Sequence, residues 1–187
     1  MSIDLRMRGL PASIAVGGEW VPVETGFRAW LDFGEALRSG CASLAVFPGG
    51  APDGDWMPAA MEFYESRNEF PRGRGGSGAV DMLLDGDYIT AAFQQAYGID
   101  LTDPATDMHW HRFLALFRGL PEDTLMSKIM GWRTWRKQDR KPSPDREARE
   151  RREAWALPER GRVSYAEQAD PLAGMVNDDI PEAAQHG

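Results

Sequence analysis

The stretch at residues 87–120, DYITAAFQQAYGIDLTDPATDMHWHRFLALFRGL, followed by PEDTLMSKIMGWRTW at 121–135, decides the fold. Its apolar residues recur at three- and four-residue spacing, which places their side chains on one face of an α-helix. Gly98 and Gly119 stand where helices are expected to end, because glycine closes a helix without steric cost. The pattern predicts two or three short amphipathic helices, joined by tight turns and packed through large aromatic side chains.

The expected boundaries of these helices follow from capping residues. The carboxylate of Asp85 or Asp87 can accept the unpaired amide protons in the first turn of the first helix. The second helix is expected to begin near 104–107. Pro121, followed by two acidic residues, is typical of the start of the third helix. The apolar stripe of that third helix is predicted to contain Leu125, Ile129 and Trp132, with Met126 and Met130 beside it.

The rest of the sequence supplies a hairpin, two further helices and a tail. Two apolar runs flank Gly17-Gly18, which predicts an antiparallel β-hairpin with Ile14 and Val16 on one face. Further helices are expected to open near Phe27 and Trp56. The fold class is therefore predicted to be mainly α: a small helical domain with an N-terminal β-hairpin, followed by a charged helix and a disordered acidic tail.

We divide the chain into parts on the same grounds. Residues 1–24 are the N-terminal segment with the β-hairpin, and 25–141 are the helical core domain, with a flexible loop near the Pro- and Gly-rich 71–78. Residues 142–157 are the charged helix. The acidic tail at 158–187 is poor in large apolar residues, a composition typical of disordered segments.

The composition is that of a single soluble domain. The chain has 187 residues, of which 42% are hydrophobic, and this suffices for one core. No apolar run is long enough to span a membrane, and the N-terminus shows no signal-peptide pattern. The single cysteine, Cys41, is expected to be buried at a helix end, in a protein of a reducing cytoplasm. The formal net charge of -8 argues against nucleic-acid binding, which needs a positive surface.

No arrangement of side chains predicts catalysis, a cofactor or a metal. His109 and His111 are two positions apart, which on a helix would separate them by about 200° around the axis. They then could not hold one ion, and we expect one to be half-buried in the core and the other to lie at the surface. The glycine-rich 71–78 lacks the Lys-Ser/Thr ending of a phosphate-binding loop. We therefore expect the protein not to be an enzyme.

The segment 133–152 interleaves tryptophan with lysine and arginine, a pattern that can bind single-stranded nucleic acid. Interspersed acidic residues offset much of that charge. The sequence at 145–157, DREARERREAWAL, predicts an exposed helix with i, i+4 ion pairs such as Glu147–Arg151. Trp155 gives this helix an apolar edge, which can dock on the core or on a partner.

Several motifs follow one another in order along the chain. In the quoted stretch they are Tyr97-Gly98-Ile99-Asp100-Leu101, His109-Trp110, Leu116-Phe117-Arg118-Gly119-Leu120-Pro121, Asp123-Thr124 and Ile129-Met130-Gly131-Trp132-Arg133. Upstream of it they are Leu10-Pro11, Thr25-Gly26-Phe27-Arg28 and Phe63-Tyr64. This ordered set resembles the bacteriophage tail assembly chaperone family of the gene product fifteen type, whose type member comes from a Gram-positive siphophage. The resemblance covers roughly residues 9–157.

The resemblance implies a chaperone that binds the tape measure protein and keeps it soluble and assembly-competent during tail tube formation. Such a protein acts in the host cytoplasm, is absent from the finished virion, and associates with itself or with a second tail chaperone. No cofactor, metal or membrane is implied. Large aromatic residues and arginine carry most interface energy. The candidate partner contacts are therefore Trp110, Phe117, Trp132, Trp135, Arg136 and Trp155.

Other interpretations stay open at this point. Trp110, Phe117 and Trp132 are better explained as core residues than as partner contacts, whereas charged neighbours favour exposure of Trp135. The protein can also be a structural component of a phage tail or phage-like particle, although tube subunits need more β structure than this sequence predicts. A further alternative is a nucleic-acid-binding regulator that uses the basic and aromatic residues of 133–152.

Overall fold

The structure, a computed structural model, describes residues 9–41, 43–66, 79–135 and 145–158. The loop predicted at 71–78, Arg136 and the predicted disordered tail from 159 onward lie outside the described residues.

The described residues form two strands and six helices. The strands are β1 (Ser13–Val16) and β2 (Glu19–Pro22). The helices are α1 (Phe27–Arg38), α2 (Met57–Glu65), α3 (Gly86–Tyr97), α4 (Trp110–Arg118), α5 (Leu125–Thr134) and α6 (Asp145–Ala154). The prediction of a mainly α fold with an N-terminal β-hairpin is confirmed.

The hairpin has the predicted turn and the predicted inner face. β1 and β2 pair antiparallel with Ile14 opposite Val21, and Ile14 and Val16 are both buried. Gly17 and Gly18 form the turn at φ values of 58° and 90°, a backbone conformation that favours glycine. β1 packs on α2, which places the hairpin against the helical core.

The core is arranged around the ring of Phe113 on α4. This ring stacks on Phe27 of α1 at a centroid distance of 5.1 Å and on Phe93 of α3 at 5.2 Å. The ring of Trp110 stacks on it at 5.6 Å. Aromatic pairs of this kind add about 0.5–1.5 kcal/mol each beyond their area burial. Because the partners of Phe113 come from both α1 and α3, α4 is the helix that joins them.

Hydrogen bonds join α2 to α4. Trp110 Nε1 donates to the Tyr64 carbonyl at 2.8 Å, and His111 Nε2 lies 2.8 Å from the Phe63 carbonyl. Both carbonyls belong to the last turn of α2, where the helix leaves acceptors unused. The Tyr64 side chain also crosses Gly34 of α1, where a Cβ would overlap the phenolic hydroxyl. This close approach explains why a glycine stands inside α1.

The predicted start of the second helix in the quoted stretch is wrong. That helix, α4, begins at Trp110 rather than near 104–107. Residues 100–107 form turns instead, because the Asp100 and Asp103 carboxylates accept hydrogen bonds from backbone amides two residues on, at 2.8 Å each. The preceding helix, α3, ends as predicted at Gly98, which adopts a φ of 66°.

The predicted start of the third helix is also wrong. α5 begins at Leu125, four positions after Pro121, and the intervening residues form a turn. Thr124 is the N-cap residue, since its hydroxyl accepts a hydrogen bond from the Ser127 amide at 3.2 Å. The Thr124 side chain, rather than the proline and the acidic residues, sets the start of α5.

Burial differs from expectation at two positions. Leu125 is 44% exposed, because the apolar face of α5 turns Met126 and Ile129 inward instead. Cys41 is exposed and not buried, because the chain leaves α1 through Gly40 at a φ of 72°. Neither residue belongs to the core.

Candidate functional site

Two of the candidate contact residues lie in the core. Trp110 is 1% exposed and Phe117 is 7% exposed. Both rings pack along α4 on either side of Phe113. A partner cannot reach them while the core is closed, so we withdraw them from the candidate contacts. Both are core residues, which is the alternative interpretation of the sequence.

The described candidates that remain are half-buried tryptophans near the ends of α5 and α6. Trp132 lies on α5, Trp135 directly follows that helix, and Trp155 directly follows α6. Trp135 is less exposed than its charged neighbours in sequence suggested. The structure brings Trp132 and Trp155 together. Arg136 lies outside the described residues.

An aromatic cluster, formed by Tyr88, Trp132 and Trp155, joins α3, α5 and α6. The rings of Trp132 and Trp155 have centroids 5.6 Å apart, and Tyr88 meets Trp155 edge-on at 5.5 Å. The Arg151 guanidinium carbon lies 5.8 Å from the centroid of the Trp132 ring, within the range of a cation–π interaction. All three rings of the cluster are half-buried.

A buried ion pair joins α5 to the start of α3. Arg133 Nη1 lies 2.6 Å from Asp85 Oδ2, and Nη2 lies 2.9 Å from Oδ1, so the pair is bidentate. The side chains of Arg133 and Asp85 are 7% and 2% exposed. Asp85 Oδ2 also accepts a hydrogen bond from the Asp81 amide at 2.8 Å. The prediction that Asp85 caps α3 with its side chain is therefore wrong, because these partners occupy its oxygens.

Arg133 also holds the end of α6. Its Nε donates a hydrogen bond to the Trp155 backbone carbonyl at 2.6 Å, and its Nη1 reaches the Ala79 carbonyl at 3.3 Å. Carbonyl groups at the end of a helix have no partner within it, and the dipole makes that end negative. The guanidinium group thus supplies a donor to α6 while Asp85 balances its charge.

The body of α6 is exposed to solvent. From 146 to 154 every side chain is exposed except the half-buried Ala148. Arg146 and Glu150 form an ion pair at 2.8 Å, and the predicted pair Glu147–Arg151 is also formed. Exposed pairs of this spacing contribute about 0.3–0.5 kcal/mol each. The tertiary contacts of α6 are made mainly with α5.

The two histidines are positioned by the backbone at the start of α4. His109 is the N-cap residue, not a helical one; its Nδ1 accepts from the His111 amide at 3.0 Å, and its Nε2 lies 2.9 Å from the Pro11 carbonyl. His111 is 1% exposed, and this burial lowers its pKa to about 4. The expectation that one histidine lies at the surface is wrong, since His109 is half-buried.

The ranges that the structure describes hold no group of three or more His, Cys, Asp or Glu able to bind a metal ion. Within the same ranges, the buried His111 Nδ1 has no hydrogen-bond partner. No described helix is both long and apolar enough to cross a membrane.

Sequence reasoning missed three residues around the site. The sequence places Tyr88 only within a helix and Arg133 only within a motif. It predicts that Asp85 is a helix cap. The one signal for Arg133 was its place in the motif Ile-Met-Gly-aromatic-Arg. Asp85 and Arg133 are 48 positions apart, so nothing local reports their pairing. The exposed side chains of Trp20 and Leu83, 68% and 61% exposed, were also not anticipated.

Part of the chain is similar to a known family of phage proteins. Residues 57–157 match the family described as Bacteriophage Gp15 protein. The match begins at the first residue of α2 and ends shortly after α6, so it contains the aromatic cluster and the Asp85–Arg133 ion pair. The hairpin and α1 precede it. No curated protein and no solved structure matches the chain.

Proposed function

The chain belongs to the bacteriophage Gp15 protein family, a phage structural or morphogenesis family, and on this basis we propose that it is a tail assembly chaperone. It binds the tape measure protein and keeps that long helical client soluble until the tail tube forms around it. The family match over residues 57–157 is the observation that carries the proposal.

The mechanism is stoichiometric binding. Several copies cover the apolar faces of one client, as helix-in-groove contacts do. Repeated weak contacts hold a long client by avidity while each contact stays releasable, so that tube subunits can displace the chaperone. The formal net charge of -8 favours solubility of the resulting complex.

The contacts that suit this role are Trp132 and Trp135. Both are half-buried, so each keeps part of its ring accessible to a partner. Among the basic residues of 133–152, Arg133, Arg146 and Arg151 already face carboxylates, which favours a protein partner over nucleic acid. The role requires no catalysis, cofactor or metal. The protein acts in the host cytoplasm, associates with itself or a second tail chaperone, and is absent from the finished virion.

Co-expression tests the proposal. The tape measure protein is produced with and without this chain, and the soluble fraction of that client is measured. We expect the client to become soluble and to co-elute with the chaperone in several copies. A client whose solubility does not change would rule the mechanism out.

Two tryptophan variants provide a matched control for that experiment. Trp132→Ala is expected to reduce the soluble client, because this ring belongs to the proposed contact surface. Trp20→Ala removes a more exposed ring on the hairpin, outside the family match, and is expected to leave the yield unchanged. Purified tails that contain the protein in fixed ratio to the tube subunit would instead identify a structural component.

A further inference from the structure

We propose that α6 is an internal occupant of the client site, and that the C-terminal end of a client helix displaces it from Tyr88, Trp132 and Arg133. This inference rests on the proposed function for the identity of the client. The site itself follows from the contacts that α6 makes.

The receptor side of this site is preorganised. The Asp85 carboxylate and the Ala79 carbonyl hold the two terminal nitrogens of the Arg133 guanidinium, which leaves Nε directed at one further acceptor. Tyr88 and Trp132 supply two rings, both of which contact the Trp155 ring. A donor that is already fixed in position loses little freedom when an acceptor arrives.

The occupant uses very little of its own sequence. Besides the Arg151 guanidinium near the Trp132 ring, α6 contributes one half-buried ring, Trp155, and one backbone carbonyl, that of the same residue. The exposed charged side chains of its body pair mostly with each other. A carbonyl at a helix C-terminus is available in every helix, whatever its sequence. Any helix with an aromatic residue in its last turn therefore fits the same site.

The contrast with the core shows that the contact is suited to exchange. Trp110 of the core is 1% exposed and hydrogen-bonds the last turn of another helix through its indole nitrogen. Trp155 remains half-buried and is held through its backbone. A client with several aromatic helix ends competes with the tethered α6 through avidity. Each bound end raises the local concentration of the next end. While no client is present, Trp155 covers the rings of Tyr88 and Trp132.

The first experiment uses a peptide instead of the tape measure protein. A fluorescein-labelled peptide with the sequence of 145–158, DREARERREAWALP, is titrated into the full-length protein and into its Trp155→Ala variant, with anisotropy as the readout. We expect the variant to bind the peptide about tenfold tighter, because its own competing ring is absent. The same peptide with Trp155→Ala is the matched control and is expected not to bind.

A second variant keeps the experiment decisive. Adding Trp132→Ala to the Trp155→Ala protein removes the receptor ring and is expected to abolish peptide binding. Circular dichroism and a thermal melt establish that both proteins are folded. Equal peptide affinity for wild type and Trp155→Ala, or binding that survives Trp132→Ala in a folded protein, overturns the proposal.

The client is tested separately. Trp155→Ala is expected to increase the amount of tape measure protein that co-purifies, and excess peptide is expected to reduce it. Peptide binding that follows the predicted pattern, combined with no tape measure protein bound to either form, would overturn the proposed function and not the site. Client binding that is unaffected by both Trp155→Ala and the peptide would overturn the displacement of α6 by the client.

Discussion

The region around Phe113 and the aromatic cluster around Trp155 contain the same kinds of side chain but differ in how completely those side chains are enclosed. The Phe113 ring is 1% exposed and is stacked by rings from α1, α3 and its own helix. The Trp155 ring is half-buried and meets two rings, while its backbone is held by Arg133. Enclosure on all sides, rather than aromatic content, separates a structural region from one that can exchange partners.

The two regions also differ in the polar contacts that support them. In the core, Trp30 and Trp110 donate their indole protons to backbone carbonyls at 2.6 and 2.8 Å. Near the cluster, the polar contact is a charged residue, Arg133, whose position depends on Asp85. The core therefore depends on packing volume, whereas the cluster depends on one ion pair.

The largest effect is expected from emptying the core. Phe113→Ala should lower the free energy of unfolding by about 4 kcal/mol, because it removes a buried ring and leaves a cavity between three helices. Urea denaturation followed by circular dichroism measures this change. Phe113→Leu keeps most of the volume and should lower it by about 1 kcal/mol. If the alanine variant lost no more than the leucine variant, Phe113 would not be the centre of the core.

The next largest effect is expected from breaking the Asp85–Arg133 ion pair, on which the cluster depends. Asp85→Asn should lower the free energy of unfolding by about 3 kcal/mol, because it leaves the buried Arg133 charge without its partner. The tryptophan emission of the protein should shift to longer wavelength, since Arg133 no longer holds the end of α6 and the Trp155 ring becomes more exposed. Asp85→Leu combined with Arg133→Met removes both charges and should recover much of the lost stability. A stable, unshifted Asp85→Asn protein would show that the pair is dispensable.

These two regions also differ in how far the sequence predicts them. The three- and four-residue spacing of Trp110, Phe113 and Phe117 predicts one helix face, and the structure buries that face. The Asp85–Arg133 pair spans 48 positions and joins two helices, so no periodicity contains it. Asp85 before a helix has the pattern of a cap, but its carboxylate binds Arg133 and the Asp81 amide instead.

The start of α4 also depends on a long-range contact. The sequence predicts a start near 104–107, but the isolated bridge between Gly26 and His109 fixes the backbone just before Trp110. That contact brings together residues from the start of α1 and the start of α4. Local sequence predicts which segments are helical, whereas this long-range contact helps to fix where α4 begins.

Lowering the pH should destabilise the core through His111, because this histidine is buried. Burial lowers the pKa of His111 from 6.5 to about 4, so between these values the unfolded chain binds a proton that the folded chain does not. This contribution to stability is complete above pH 6.5 and is lost as the pH falls toward 4, by at most about 3 kcal/mol. Burial lowers the pKa of His109 as well, which acts in the same direction.

A variant that lacks only His111 isolates that contribution. His111→Gln keeps a side-chain donor near the Phe63 carbonyl but has no proton to gain in this range. Urea denaturation of both proteins between pH 7 and 4 gives two stability profiles, and their difference removes the titration of the carboxylates that they share. The wild type should lose more stability than the variant across the window. Parallel profiles would contradict a buried, neutral His111.

The smallest effect should be confined to the cluster. Trp155→Ala removes a half-buried ring and should lower the free energy of local opening of α6 by about 1 kcal/mol, so its amides exchange about fivefold faster with solvent. Amides of α4 should keep their protection, because the Phe113 core does not include α6. Arg146→Ala is the matched control on the same helix, since its exposed pair with Glu150 contributes only a few tenths of a kcal/mol. Faster exchange in α4 as well as α6 would mean that the two regions unfold as one unit, and Trp155 would then belong to the core.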